Sequence, residues 1–234
     1  MNKISKLSII IPVFNEAKTI KSIVDRVFQV NLGKIKKEII VVNDGSKDDT
    51  LSQLKRLKKI YPIKIVSYSK NLGKSCALRI GFTKATGDVI TIQDGDLEYD
   101  PNDFVPMLKK MLEDGVKVVY GSRRLNKKNV QYSGLSFYVG GIFLTYMVNI
   151  LYGGRITDES TCYKMFESKL LKSIKLESKR FEFCPEVTAK VLRQGVDIFE
   201  VPIFYSPRTN NQGKKIKLRD FFEAVWALIK YRFV

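Results

Sequence analysis

Along the first half of the chain, short apolar runs rich in valine and isoleucine alternate with longer segments whose apolar positions recur every three or four residues. Residues 7–11 form one such run, closed by Pro12, and residues 19–30 follow with Ile20, Ile23, Val24 and Val27 on one helical face. Residues 38–42 predict a second strand ending in Asn43-Asp44-Gly45-Ser46. Asp48 or Asp49 then caps a helix that carries Leu51, Leu54 and Leu57. The alternation continues with a strand at 63–66, a helix at 75–85, a strand at 89–93, a helix at 102–113 and a strand at 116–120. Repeated βα units predict an α/β fold, a mostly parallel central sheet flanked by helices with right-handed crossovers.

In such sheets ligands bind beyond the carboxyl ends of the strands, so the loops that follow the strands define the site. Those loops hold Asn15 and Glu16, then Asp44, Gly45 and Ser46, then Asp94 and Asp96, then Ser122 and Arg123. Asp94-Gly95-Asp96 is the most telling of them. Two carboxylates separated by a residue without a side chain suit a hard divalent cation, magnesium or manganese, whose shell is completed by substrate phosphates. Asp-Gly is also ordinary turn chemistry, so the motif gains weight only from its neighbours. Pro12-Val13-Phe14-Asn15-Glu16 after the first strand is not the Gly-x-Gly-x-x-Gly of a dinucleotide site, and no phosphate-binding Gly-x4-Gly-Lys-Ser/Thr occurs.

Composition narrows the field further. The 234 residues are 44% hydrophobic, enough for one large domain, or a domain with an appendage, with a substantial core. Forty-one Lys and Arg against 24 Asp and Glu give a net charge of +17, which draws polyanions: nucleic acid, an anionic membrane or phosphorylated substrates. There is no histidine, which removes Ser-His-Asp and Cys-His chemistry, and Cys76, Cys162 and Cys184 show no zinc-site spacing. Reduced thiols and a cytoplasmic setting are expected, because residues 1–6 lead directly into the first strand without an apolar targeting segment. Residues 129–154 contain no charged residue. The run 135–152 reads as a buried or interfacial helix, with Lys127, Lys128 and Arg155 flanking it, and a membrane span is rejected. The tail 218–234, with Phe221, Phe222, Val225, Trp226, Leu228, Ile229 and Phe233, predicts an amphipathic helix. Peripheral association with an anionic membrane surface follows.

The stretches IIIPVFNEAKTI, IIVVNDGSKDDT, NLGKSCALRIGF, GDVITIQDGDLEYDP and VVYGSRR, continued by TDESTCYKMF, RFEFCPEVTAKVLRQG and VPIFYSPRTNNQGKKI, resemble the ordered signatures of inverting GT-A glycosyltransferases of family 2. Within that superfamily the chain most resembles dolichyl- and polyprenyl-phosphate mannose or glucose synthases. The resemblance implies the GT-A nucleotide-diphospho-sugar transferase fold over residues 1–207. Residues to about 125 would form the nucleotide-binding half and 126–207 the acceptor side, with a basic loop and helix at 208–234. It implies that Pro12, Phe14, Asn15, Glu16, Asp44, Gly45, Lys74, Asp94, Gly95 and Lys214 contact the nucleotide, and that Asp94, Asp96 and Glu98 surround the metal. Arg123, Arg208 and Lys215, or Lys214 in its place, would meet the phosphates. Two departures stand out: Glu98 replaces a frequent glutamine, and Phe14 a frequent tyrosine.

The implied reaction transfers a hexose, mannose favoured, from a nucleotide-diphosphate sugar to a polyprenyl or dolichyl phosphate. GDP-mannose is the favoured donor and UDP-glucose the other, and nucleic acid is not expected as a partner. The lipid phosphate is already anionic, so a strong general base is unnecessary, whereas Asp158 or Asp96 could serve as base for a hydroxyl acceptor. Competing readings are a soluble transferase acting on a glycan or protein hydroxyl, and a catalytically dead basic binding module.

Overall fold

The computed structural model describes residues 4–113, 115–129, 134–208 and 218–234. The chain order is β1 (Lys6–Val13), α1 (Ile20–Gln29), β2 (Lys36–Asp44), α2 (Thr50–Leu57), β3 (Ile63–Tyr68), α3 (Lys74–Lys84), β4 (Val89–Ile92), α4 (Phe104–Met111) and β5 (Val118–Ser122). Then follow α5 (Leu135–Tyr152), β6 (Lys164–Glu167), α6 (Ser168–Ser173), α7 (Phe183–Arg193), β7 (Phe199–Pro202) and α8 (Leu218–Phe233). The expected α/β architecture is present: a seven-stranded sheet in the order β3-β2-β1-β4-β6-β5-β7, in which only β6 runs antiparallel to its neighbours.

The strands are continuous apolar runs because both of their faces are covered. Leu7, Ile9 and Ile11 of β1 enter a core shared with α1, α2 and α4, while Ile10 faces the opposite layer with α3, α6 and α7. A third, smaller cluster joins Leu144 and Val148 of α5, Ala189 of α7 and Ala224 and Leu228 of α8.

Of the two aspartates expected to cap α2, Asp49 occupies the position before the helix without a side-chain cap bond, and it is Asp48 whose carboxylate accepts the Thr50 N–H at 3.0 Å and the Thr50 hydroxyl at 2.5 Å. One feature departs from the sequence expectation: β6, inserted between β4 and β5. Its Lys164 is fully buried, donating to the Glu159 carbonyl at 2.7 Å with its ammonium 3.5 Å from the Tyr120 ring centroid.

From β1 the chain builds outward through β2 to β3, then returns to place β4 on the other side of β1. This reversal of strand order opens a crevice between the carboxyl ends of β1 and β4, where an α/β sheet receives its ligand.

Candidate active site

The loops after β1 and β4 meet in that crevice. Asn15 turns the first loop with φ of 53°, a left-handed conformation that asparagine tolerates better than most residues. Its side chain accepts the Lys47 N–H at 2.8 Å while its own N–H donates to Ser46 Oγ at 3.0 Å, fixing the loop against the turn after β2. The Thr19 hydroxyl lies 2.9 Å from Glu16 Oε2 and 2.7 Å from the Gly95 carbonyl, tying the Glu16 loop to the Asp94–Asp96 loop.

Asp44, at the end of β2, accepts the Leu72 N–H at 2.7 Å and the Gly73 N–H at 2.9 Å. Gly45 permits this approach: it sits at φ of +67°, and a Cβ there would lie 2.6 Å from Asn71 N. These bonds bring Gly73, and with it the start of α3, to the crevice. Lys74, the first residue of α3, then reaches Asp94 Oδ1 at 2.5 Å and Cys162 Sγ at 3.2 Å.

Asp94 and Asp96 are nearly buried, 8% and 7% exposed, and both line one large cavity of about 1280 Å³. Arg208 binds across this cluster: its guanidinium lies 2.6 Å from Asp96 and 3.4 Å from both Glu16 and Glu98, and its backbone N–H donates to Glu98 at 2.9 Å. The Tyr205 hydroxyl adds a bond to Glu98 at 3.1 Å. Burial would raise the Asp94 carboxyl, but the Lys74 ammonium outweighs it and holds Asp94 below the usual range. Asp96 moves the other way. Burial, reinforced by the Asp94 and Glu98 charges, pushes it up to about 7 despite Arg208.

Four carboxylates, Glu16, Asp94, Asp96 and Glu98, thus gather around Lys74 and Arg208. Hard carboxylate oxygens of this kind fit magnesium or manganese. No three His, Cys, Asp or Glu side chains among the described residues are grouped so as to hold an ion by themselves, so diphosphate oxygens would have to complete the shell.

The remaining expected residues fall into three sets. Pro12, Phe14, Glu16, Asp44, Lys74, Gly95, Glu98, Arg123 and Arg208 line the cavity with Asp94 and Asp96. Asn15, Gly45 and Asp158 are not among the residues that line it. Asp158 is fully buried and accepts Arg123 Nε and Nη2, each at 2.7 Å, in a bidentate pair whose guanidinium lies over the Tyr205 ring at 5.1 Å. Lys214 and Lys215 lie outside the described residues. The sequence reading assigned no role to Lys179, Arg180, Cys162 and Cys184, which also line the cavity. Arg180 precedes α7 and pairs with Asp220 of α8 at 3.3 Å; only a basic residue beside an aromatic stretch marked it in the sequence.

The same cavity is also lined by Arg123, Arg124 and Arg180, by Phe137 and Phe143 of α5 and by Leu218 and Phe221 of α8. Both helices turn apolar side chains outward: Leu135, Val139, Tyr146 and Ile150 from α5, and Phe222, Trp226 and Phe233 from α8 are exposed. By length and composition α5 is the one described helix apolar enough to cross a membrane, and 17% of it is buried in the protein.

The switch-point crevice, the strand order and the acidic loop after β4 define an α/β protein of the GT-A type. The chain belongs to glycosyl transferase family 2, whose model matches residues 8–175, and it is a glycosyltransferase. Its similar proteins include a UDP-N-acetylglucosamine–dolichyl-phosphate N-acetylglucosaminyltransferase of Methanococcus voltae, 30% identical over 83% of each chain. A dolichol-phosphate mannosyltransferase of Pyrococcus furiosus is 27% identical over 93% of this chain, which spans 61% of that protein's length. In solved structures the fold matches a glucosyl-3-phosphoglycerate synthase of Mycobacterium tuberculosis in complex with UDP, with a TM-score of 0.75, 19% identity and coverage of 98% of this chain and 81% of the other. A mannosyltransferase of Pyrobaculum calidifontis in complex with GDP-mannose and Mn2+ matches with a TM-score of 0.60, 19% identity and coverage of 86% and 56%.

Proposed function

We propose that this glycosyltransferase moves a hexose from a nucleotide-diphosphate sugar to a polyprenyl phosphate at an anionic, cytoplasmic membrane surface. The observation that carries the reading is that one cavity is lined by three kinds of side chain: the carboxylates of Glu16, Asp94, Asp96 and Glu98, the guanidinium groups of Arg123, Arg124 and Arg180, and apolar side chains of α5 and α8. A nucleotide diphosphate suits the first kind, a phosphate headgroup the second and the start of an isoprenoid chain the third. The names of the relatives support this acceptor and spread over several sugars. GDP-mannose is therefore the first donor to test, with UDP-sugars beside it.

In this reading residues to about 125 receive the donor and 126–207 the acceptor. Pro12, Phe14 and Asp44 line the nucleotide end, with Asn15 and Gly45 shaping its loops. Asp94 and Asp96, with Glu98 beside them, would hold magnesium or manganese, which supplies Lewis-acid neutralisation of the diphosphate leaving group. Arg208 and Lys74 trade their carboxylate contacts for diphosphate oxygens, and each well-placed cation or donor of this kind contributes ~3 to 4 kcal/mol at the transition state. Asp158 holds Arg123 in a fixed orientation, and Arg123 with Arg124 receives the acceptor phosphate. That phosphate oxygen is anionic near neutral pH, so it attacks without a general base and single displacement inverts the sugar. The α5 and α8 faces rest in the headgroup boundary; α5 does not cross, because its inner face is committed to α7 and α8.

The test is transfer from labelled GDP-mannose or UDP-sugars, with manganese, to either polyprenyl phosphate in vesicles or a soluble oligosaccharide. Organic-extractable label that depends on polyprenyl phosphate is expected. Label appearing only on the oligosaccharide contradicts the acceptor, and no transfer with any donor supports a binding module instead.

A further inference from the structure

Tyr205 follows the end of β7 and Arg123 the end of β5, and these two strands pair in parallel with Ser122 opposite Pro202. The backbone around Tyr205 is fixed without help from its side chain. The Phe204 N–H donates to Asp103 at 2.8 Å, the Tyr205 N–H to Asn129 Oδ1 at 3.1 Å and the Ser206 N–H to the Glu98 carbonyl at 2.8 Å. An isolated antiparallel bridge also pairs Tyr205 with Tyr99. Two contacts of the side chain then join separate parts of the cavity. Its hydroxyl donates to Glu98 Oε2 at 3.1 Å, and its ring lies against the Arg123 guanidinium at 5.1 Å. Tyr99, buried and stacked on Tyr163 at 4.6 Å, backs that ring with centroids 5.2 Å apart. One side chain therefore touches a carboxylate from the loop after β4 and an arginine from the loop after β5.

Resting on the donor and acceptor reading above, we propose that Tyr205 is a positioning residue for both substrates: its hydroxyl keeps Glu98 from competing with the diphosphate for Arg208, and its ring holds Arg123 for the acceptor phosphate. On the donor side, Tyr205 engages Glu98 Oε2, while Arg208 meets the other oxygen, Oε1, through its backbone N–H at 2.9 Å and Nε at 3.4 Å. Without the hydroxyl, both oxygens of Glu98 turn to the guanidinium in the bidentate geometry that carboxylates favour with arginine. An incoming diphosphate then has to displace a stronger pair. On the acceptor side, Asp158 grips one edge of the Arg123 guanidinium through Nε and Nη2, each at 2.7 Å, and Nη1 takes no part in that pair. The Tyr205 ring adds a cation–π contact to the face of the same group. Held on edge and face, Arg123 presents Nη1 in one direction, and less ordering is needed when an anionic oxygen binds it.

The variants are Y205F, which loses only the hydroxyl, Y205L, which loses the ring as well, and Y205F combined with E98Q. Binding of GDP and UDP in the presence of manganese is measured by titration calorimetry, and the KM for polyprenyl phosphate in vesicles by transfer of labelled sugar. Y205F is expected to weaken binding of the nucleoside diphosphate about three- to tenfold and to leave the acceptor KM unchanged. In the E98Q background the same change is expected to alter nucleotide affinity by less than about twofold, because a neutral amide forms no charged bidentate pair with Arg208. Y205L is expected to raise the acceptor KM about three- to tenfold in addition. Unchanged nucleotide affinity in Y205F, an equal loss in the E98Q background, or an acceptor KM that moves as much in Y205F as in Y205L would overturn the proposal. Native protein that binds neither nucleotide would defeat the donor reading and the proposal with it. Native protein that binds nucleotide but transfers no sugar to polyprenyl phosphate would defeat the acceptor reading, and the Y205F comparison then still decides the role of the hydroxyl.

Discussion

Glu38, on β2 far from the acidic cluster, shows how strongly one buried carboxylate can depend on its partners. It accepts Ser8 Oγ at 2.5 Å, Lys64 Nζ at 2.6 Å, and the Thr86 N–H and hydroxyl at 2.7 and 2.8 Å. Burial would raise its pKa, but these donors outweigh it and hold the group at about 2. The folded value lies below the unfolded one, so the stabilisation is complete above about pH 4.5 and is lost as pH falls toward 2; its size is about 3 kcal/mol. E38Q is therefore expected to lower unfolding free energy by about 2 to 3 kcal/mol at pH 7 and to flatten its pH dependence between pH 4.5 and 2, read by urea melts across that range. The site residues differ in how far the sequence revealed them. Glu16, Asp44, Asp94 and Asp96 were legible because each directly follows an apolar strand run. The Arg123–Asp158 pair and the reach of Arg208 to Asp96 join residues 35 and 112 positions apart, which no local pattern encodes.

At the level of helices and strands, close packing of α3 on β1 depends on Gly81. A Cβ there would lie 2.3 Å from Ile10 Cγ2, a buried β-branched side chain with little room to move. G81A is expected to destabilise by about 1 to 3 kcal/mol despite its better helix propensity, measured by thermal or denaturant unfolding. The first five strands and four helices could be read in the sequence because their periodicities are clean. β6 was hidden by Lys164, a charge at a position where a buried strand normally shows none, and α7 by a start at Phe183-Cys184-Pro185 with no capping bond from Glu182. In α5 apolar residues surround the axis, so periodicity could mark a helix but not its buried face. Trp226, 65% exposed on α8, belongs to the outward apolar surface. W226A is expected to reduce partitioning onto anionic vesicles roughly 30-fold, about 2 kcal/mol, with little change in unfolding free energy. Unaltered vesicle co-sedimentation would remove α8 from the membrane account.

In the proposed membrane association, the net charge of +17 and the apolar surface of α5 and α8 would make separable contributions. Screening acts on the first and not the second, so binding to anionic vesicles is expected to weaken about tenfold between 0.1 and 1 M salt. High salt followed by alkaline wash is expected to release the protein, and retention after both would contradict peripheral association. The α/β class and the placement of ligand loops at one sheet edge followed from the repeated βα units. The continuity of that edge with an apolar groove did not, because the helices that form the groove are brought together only by tertiary packing. The most direct measurement is the thermal shift caused by nucleotide diphosphates with and without manganese in the native protein, D94N and D96N. A ligand at about 100 times its Kd stabilises by ~3 kcal/mol. The native protein is expected to show that shift only when manganese is present, and both variants to fold yet lose it; an equal shift without the metal, or in both variants, would contradict a cation held by Asp94 and Asp96 at this sheet edge.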